Sequence, residues 1–264
     1  MKITIIKSIL TILIGICCLQ SCTKIIDLDL EEHQQKIVIE AHVGTETGDN
    51  QVIITRSKSF NDPQPIMPIS GALVTITNLT DGQVYQLTDY SGVYNNDILA
   101  AIEQNTYKLT VELEGKVYTA QSTVPKNVAL SSFTQNGSVD DNTFGFSDLA
   151  NLVPKYTDPG DRKNFYQFII YRNDSLQQDI LLRDDVVYNG LEVSSEIFVE
   201  ARKNDTITID FQSIDEPVYR FLFGFAKNVT QTSGTPANPV SNISNGALGY
   251  FKAHTSNFEQ LIVK

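Results

Sequence analysis

The chain has 264 residues and is acidic, with 31 aspartates and glutamates, 20 lysines and arginines, and a formal net charge of −11. An acidic surface repels the phosphate groups of nucleic acids and of anionic lipids, so the composition argues against a nucleic-acid-binding protein. All three cysteines lie within the first 22 residues, which leaves no pair further along the chain for a disulfide or a thiolate metal site.

The first 22 residues are typical of a bacterial lipoprotein signal. Lys2 and Lys7 precede an apolar run from Ile9 to Leu19, which is the layout of a secretory signal. A transmembrane anchor is the alternative, but the run is shorter than the roughly 20 apolar residues needed to cross a bilayer. At its end, Leu19-Gln20-Ser21-Cys22 resembles a lipobox, where a lipoprotein signal peptidase cuts before the cysteine.

Cleavage at this site has direct consequences for the mature chain. Residues 1–21 are removed as the signal peptide, Cys22 becomes the first residue and carries acyl chains, and residues 22–36 form a polar tether. Two or more acyl chains on one residue anchor a protein stably to a membrane. The sequence therefore predicts lipidation of Cys22 and an extracytoplasmic protein held by its lipid.

Residues 37–125 have the pattern of an antiparallel β-sandwich. Apolar and polar residues alternate in IVIEAHV (37–43), as they do in half-buried strands. A Pro-rich stretch at 61–71 predicts a loop, since proline is not accommodated within a central strand. Asp81-Gly82 lies between two alternating segments, which is the strongest short-range signal for a hairpin. Several strand-like segments at short spacing therefore predict a sandwich domain over this range.

Residues 126–264 predict a second β domain. From 126 to 164 the alternation weakens, so long loops and short edge strands are expected there, and clear strand patterns return at 165–174 and 206–212. Apolar residues then recur at helical spacing after a capping box, Ser213 with Glu216, and Pro217, which predicts one helix over about 214–230. The predicted fold class is mainly β, with two antiparallel sandwich-like domains and a single helix near the C-terminus.

The sequence lacks the motifs of common catalytic and nucleotide-binding sites. Of its three histidines, His33, His42 and His254, no two stand at metal-ligand spacing, and the strand alternation predicts that His42 faces solvent. There is no serine-hydrolase elbow, phosphate-binding loop or dinucleotide-binding glycine motif. We therefore expect a protein that is not an enzyme and uses no cofactor. Abundant carboxylates leave a carboxylate-dependent hydrolase as an alternative.

The local carboxylate clusters lie at predicted turns. Aspartate is favoured there because its side chain accepts hydrogen bonds from nearby backbone amides. Among these residues, Asp158 and Asp161 are the candidates for binding a surface calcium ion, although the EF-hand spacing is absent. The sequence predicts no other metal site.

A long loop at 230–246 is the predicted functional surface. Connections have a median length of about 4–6 residues, and much longer ones are usually functional or disordered. The candidate binding residues are Asn238, Asn242 and Asn245 within the loop and Tyr250 just after it. The alternative is that the loop covers an open sheet edge and shields it from pairing with another chain.

Two segments carry a resemblance to a known family. The first is ISGALVTITNLTDGQVYQLTDYSGVY together with the later YKLTVELEGKVYTAQSTVP, and the second is NPVSNISNGALGYFKAH. Behind a lipobox, these segments resemble domain-of-unknown-function family 4249, lipoproteins of Gram-negative cells. The resemblance implies a β-sandwich, a second β domain and a helix before the Asn-Pro block, in which Ala247-Leu248 here separates two glycines. The first domain is also similar to the carboxypeptidase-regulatory or transthyretin-like sandwich.

The resemblance implies a place and a partner as well. Members of the family are often encoded beside TonB-dependent outer-membrane transporters. The expected protein is then a non-enzymatic outer-membrane lipoprotein that acts as an accessory or substrate-capture partner of such a barrel, as in SusC/SusD-like uptake systems. A structural or adhesion protein at the cell surface is the alternative. The family has no established catalytic residues, so none is implied here.

Overall fold

The computed structural model describes residues 35–58, 62–139, 149–229 and 238–264. Cys22 and most of the predicted tether lie outside these residues. The first strands are β1 (Ile37–Gly44), β2 (Asn50–Arg56), β3 (Leu73–Asn78), β4 (Val84–Gln86), β5 (Thr88–Tyr90), β6 (Val93–Asn95), β7 (Thr106–Leu113) and β8 (Lys116–Thr123). The later elements are β9 (Leu130–Asn136), β10 (Leu149–Thr157), β11 (Phe165–Arg172), β12 (Ser175–Leu176), β13 (Leu181–Asp184), β14 (Glu192–Ser194), β15 (Ile197–Glu200), β16 (Thr206–Ile214), α1 (Glu216–Val229), β17 (Leu248–His254) and β18 (Phe258–Ile262).

The chain is mainly β, as predicted, and its first two sheets enclose one core. Their strand orders are β17-β1-β2-β6-β5 and β4-β3-β7-β8. In β1, Ile39 and Ala41 are buried in this core while Glu40 between them is exposed, which is the alternation that the sequence predicted. The hairpin predicted at Asp81-Gly82 is confirmed, since it joins the antiparallel strands β3 and β4.

Two further sheets enclose a second core that is rich in aromatic side chains. In one, β10 pairs with β9, β14 and β15, and in the other β11 pairs with β16, β12 and β13 while β18 lies beyond β16. The rings of Tyr156, Tyr166 and Phe168 all contact the ring of Phe211, with centroids 4.8 to 5.1 Å apart. Such pairs add stability beyond the burial of their area. Residues Gln35–Lys264 form one compact unit, and the predicted division at residue 125 stays a prediction.

The prediction of only loops and short edge strands before residue 164 is wrong for β10, which is long and central in its sheet. The residue of β10 that argues against a central strand is Pro154, which lacks the N–H group that such a strand needs. β15 pairs with residues 149–152 and β14 with 155–157, so Pro154 lies opposite the gap between these two short strands. Ser195 in this gap donates its N–H to the Pro154 carbonyl at 3.3 Å. The pairing thus continues through the carbonyl of Pro154, and the two short strands are interrupted where the proline cannot donate.

Helix α1 begins close to where the sequence predicts it, but a different residue caps it. The predicted cap was Ser213, whereas Asp215 accepts a hydrogen bond from the N–H of Val218 at 3.2 Å. The other carboxylate oxygen of Asp215 accepts from the Ser122 hydroxyl at 2.8 Å and ties the start of the helix to β8. Among the described residues, no helix is long and apolar enough to cross a membrane.

Strand β17 connects the end of the chain to the first sheet. It pairs in parallel with β1, placing Gly249 opposite Ile39 and Phe251 opposite Ala41. Phe251 is fully buried in the first core, although it follows the helix in sequence. Since β16 and α1 also contact β17, this strand brings the outer face of β1 towards the sheet formed by β11 and β16.

Candidate functional site

A polar cavity of about 460 Å³ lies between the first sheet and the sheet of β11 and β16. Its walls come from β1, β2 and β17 on one side and from β11, β16 and the segment 176–180 on the other. This volume is within the usual range of roughly 300–1,000 Å³ for small-molecule sites. The cavity is therefore large enough for a ligand, and its chemistry depends on the side chains described next.

Two histidines meet one carboxylate at an end of the cavity. The Nε2 atom of His42 lies 3.3 Å from Oδ1 of Asp49, and Nε2 of His254 lies 3.2 Å from Oδ2. The parallel pairing of β1 and β17 places His254 opposite Gly44 and His42 opposite Lys252. A Cβ atom at residue 44 would lie 1.9 Å from Asp49 Oδ2, so the absence of a side chain at Gly44 admits the carboxylate.

This cluster holds a charged carboxylate beside an uncharged imidazole at neutral pH. Burial and the nearby positive charge of Lys252 lower the pKa of His254 to about 3. Burial alone would raise the pKa of Asp49, but the two histidines have the stronger combined effect and lower it well below the usual aspartate range. Each imidazole faces a different oxygen of Asp49. Within the described ranges, no group of three or more His, Cys, Asp or Glu side chains is arranged to hold a metal ion.

A second polar group at the cavity surrounds a buried lysine. The Lys252 ammonium donates hydrogen bonds to Oε1 of Gln212 at 2.7 Å and to Oε1 of Gln167 at 3.0 Å. The amide of Gln212 in turn donates to Oδ2 of Asp210 at 2.5 Å. Burial lowers the pKa of Lys252 to about 8 and raises the pKa of Asp210 to about 6. Both side chains are therefore mostly charged at pH 7.

Some polar atoms in the cavity walls have no hydrogen-bond partner within the protein. Oδ1 of Asp210 and Nδ1 of His254 are buried without a hydrogen bond, and Nε2 of His254 has only its 3.2 Å contact with Oδ2 of Asp49, which does not meet hydrogen-bond geometry. Buried polar atoms in native proteins are nearly always paired, and each exception requires an explanation. Both residues line the cavity, so a bound ligand is one such explanation.

An apolar groove of about 350 Å³ adjoins the polar cavity. It runs between α1 and β17 and is lined by Phe221, Phe225 and Pro239 among others. Tyr250 lies in the walls of both spaces, and its ring centroid is 5.2 Å from that of Phe221. Burial, with a smaller contribution from Glu40, raises the pKa of the Tyr250 hydroxyl to about 12.

The predicted binding residues occupy two kinds of position. Asn238 lines the apolar groove, and Tyr250 lines both spaces. Asn242 instead donates to the Phe251 carbonyl at 2.8 Å and accepts from its N–H at 2.9 Å, so its amide pairs with the backbone of β17. Asn245 donates to the Val117 carbonyl of β8 at 3.4 Å. Their amide groups are thus engaged in joining strand edges, and their role in binding stays a prediction.

The two aspartates considered for calcium binding lie in different environments. Asp158 is buried and accepts hydrogen bonds from the Tyr166 hydroxyl at 2.5 Å and the Gly190 N–H at 3.3 Å. Asp161 is largely exposed and contacts Arg162 at 3.1 Å. Nothing in this arrangement brings the two carboxylates to a common point.

The residues around the polar cavity were not predicted as a site. His42 lies on the face of β1 opposite the core, as the alternation indicates, and its side chain is 32% exposed, but this face also lines the cavity. His42 and His254 come together, with ring centroids 5.8 Å apart, because β17 pairs with β1. The signal available in the sequence was Lys252 and His254 alternating with apolar residues in a strand, which places polar side chains on one face.

A comparison with protein-family models decides the family. The model described as "Domain of unknown function (DUF4249)" matches residues 23–259, which is most of the chain. The chain belongs to the DUF4249 family. The range that matches the DUF4249 model includes every residue named above that lines the cavity or the groove. No curated protein matches the chain.

Proposed function

We propose that the protein is a non-enzymatic outer-membrane lipoprotein that binds a small ligand in the polar cavity. It would present this ligand to a TonB-dependent transporter, as in SusC/SusD-like uptake. The observation that carries the proposal is the cavity of about 460 Å³, whose walls contain Asp210 and His254, with Oδ1 of Asp210 and Nδ1 of His254 buried without a hydrogen-bond partner. Polar groups without partners are costly inside a protein, and a ligand that pairs with them gains affinity and specificity.

The sequence supports attachment to a membrane. The lipobox-like Leu19–Cys22 segment provides a cysteine for acylation, and residues 22–36 provide a tether of sufficient length to separate the folded part from the lipid. The net charge of −11 makes electrostatic adhesion to anionic lipids unfavourable, so the lipid would be the attachment. We further propose that the first sandwich, with its hairpin at Ser91-Gly92, is of the carboxypeptidase-regulatory or transthyretin-like kind.

A structural or adhesion role is the second candidate. The observation that favours it is an exposed apolar loop at Val186, Val187 and Leu191, of which Val186 is 81% exposed. Exposed apolar patches mark contacts with other proteins more often than chance. In this alternative the loop would make the contact, and the cavity would be a packing imperfection.

Isolation of the acylated protein in complex with its partner tests the proposal. The full chain with a C-terminal tag is expressed in its native host, extracted with mild detergent and purified, and the co-purifying proteins are identified by mass spectrometry. We expect a TonB-dependent barrel in the eluate, and loss of both the barrel and the membrane attachment with Cys22→Ala. Membrane attachment without any barrel would overturn the transporter proposal. A complex that is lost on Val186→Ser with Val187→Ser, but not on changes in the cavity, would favour the adhesion role.

A further inference from the structure

The polar cavity and the apolar groove are adjoining parts of one larger depression. They share three wall residues, Gln167, Ile180 and Tyr250. Tyr250 contacts Phe221 of the groove, and Gln167 contacts Lys252 of the polar cavity. A ligand that fills one space therefore meets residues that also line the other.

We infer that the two spaces hold a single amphiphilic ligand, with a cationic amine in the polar cavity and an aromatic or short alkyl body in the groove. This inference rests on the proposed function, in which the polar cavity is a ligand site. It adds the chemical class of the ligand, which neither the family nor the sequence indicates.

The charges around the cavity favour a cation. Its walls contain three carboxylates, Asp49, Asp179 and Asp210, against the single ammonium of Lys252. The described residues that line the groove include Glu40 and no lysine or arginine. An amine is therefore attracted, whereas a carboxylate or phosphate of the same shape is repelled.

One buried carboxylate oxygen in the cavity wall has no hydrogen-bond partner, and the amine reaches it once the side chains around it move aside. Oδ2 of Asp210 already accepts hydrogen bonds from Gln212 and Ser256, while Oδ1 is buried without a partner. An ammonium group has only donors, so it satisfies a carboxylate oxygen without creating a new unpaired acceptor. A hydrogen bond of this kind, with both groups charged, is about twice as strong as a neutral one.

The groove provides a surface for the apolar part of the ligand. Phe221 and Phe225 lie one turn apart on α1 with their rings stacked, and Pro239 and Leu248 face them across the groove. Phe225 is 45% exposed. Covering this surface with an apolar ligand removes it from water, which favours binding.

Three probes with the same body and different head groups test the inference: 4-phenylbutylamine, 4-phenylbutanol and 4-phenylbutyrate. Binding to the soluble chain without its lipid is measured by isothermal titration calorimetry at pH 7. We expect the amine to bind at least about tenfold more tightly than the acid, with the alcohol between them. Equal affinity of the amine and the acid, or no binding of the amine, would overturn the inference.

Matched variants test the contacts of the ligand's head group separately from those of its apolar body. Asp210→Asn should reduce the preference for the amine over the alcohol severalfold, because the acceptor keeps its shape and loses its charge. Phe225→Ser should weaken all three probes severalfold, whereas Phe223→Ser should not, since Phe223 is also exposed on α1 but lies outside both spaces. An unchanged amine preference in Asp210→Asn, or equal effects of the two phenylalanine variants, would contradict the assignment.

The outcome is distinguishable from failure of the proposed function. A barrel that co-purifies with the protein, combined with no amine binding, refutes only the class of ligand. Amine binding without any barrel partner refutes only the role in transport.

Discussion

Gly249 lies directly opposite Ile39 in the parallel pair of β1 and β17, so close that a side chain has no room. A Cβ atom at residue 249 would be 1.9 Å from the Ile39 carbonyl oxygen, and the backbone φ of Gly249 is 100°. Both the contact and the backbone angle therefore require glycine. Because β17 carries Lys252 and His254, this close approach also determines the position of these two side chains in the cavity wall.

Gly249→Ala should strongly destabilise the protein. The substitution combines an unfavourable φ with a clash against the backbone, and we expect a loss of at least about 3 kcal/mol in the free energy of unfolding, measured in urea. Gly82→Ala is the matched control, since Gly82 also has a positive φ of 79° but nothing within 4 Å of its missing side chain. It should cost only about 1–2 kcal/mol. Equal losses in the two variants would show that the approach of β17 to β1 is not as close as described.

Asp215→Ala should weaken the link between α1 and the first sandwich. The change removes the helix cap to Val218 and leaves the Ser122 hydroxyl without its acceptor. We expect a loss of about 1–2 kcal/mol in the free energy of unfolding. Glu216→Ala next to it removes an exposed ion pair with Arg220 and should have little effect. A negligible effect of Asp215→Ala would place the helix cap elsewhere.

The stability should depend on pH through His254. The imidazole has a pKa of about 3 in the folded protein and its ordinary value of about 6.5 when unfolded, so only the unfolded chain takes up the proton between these values. Stability from this source is thus lost as the pH falls from 6.5 towards 3, by up to about 1.4 kcal/mol per pH unit.

Replacing the imidazole isolates its contribution to this slope. His254→Asn and the unchanged protein are unfolded in urea at several pH values between 4.5 and 7, a range in which Asp49 stays ionised in the folded state. We expect the unchanged protein to lose stability more steeply with acid than the variant does. Parallel curves for the two proteins would mean that His254 is protonated in the fold.

Asn242→Ala and Asn238→Ala should differ, because one residue joins strands and the other lines the groove. Asn242 makes two hydrogen bonds with the backbone of Phe251, and their loss should cost about 1–3 kcal/mol in unfolding free energy. Asn238 should affect the melting temperature little. If the two variants are equally stable, Asn242 is not a structural residue, and its predicted role in binding gains weight.

Local patterns in the sequence predicted most of the individual strands and the helix. Alternation identified β1, and the Asp81-Gly82 pair identified the β3–β4 hairpin, because both depend on neighbours in the chain. β10 was missed. Pro154 argues against a central strand, and only the structure shows that it lies between the residues that pair with β15 and those that pair with β14.

The site could not be predicted, because it depends on pairing between distant parts of the chain. His42 and His254 meet only through the parallel ladder of β1 and β17, and no local pattern specifies that ladder. Tyr250 was predicted from its position after a long loop, and it does line the cavity. The role of Asp49 and Gly44 is visible only from their approach to His254 in three dimensions.

The position of β17 also sets the order in which the protein can mature. β1 is among the first strands to leave the ribosome, whereas its parallel neighbour is among the last. Until β17 arrives, one edge of β1 has no backbone partner, and an unpaired edge invites association with other chains. Contacts between such distant segments also form slowly. A nascent chain would therefore expose this edge of β1 until residues 248–254 are synthesised, and deletion of that segment would damage the sheet that is synthesised first.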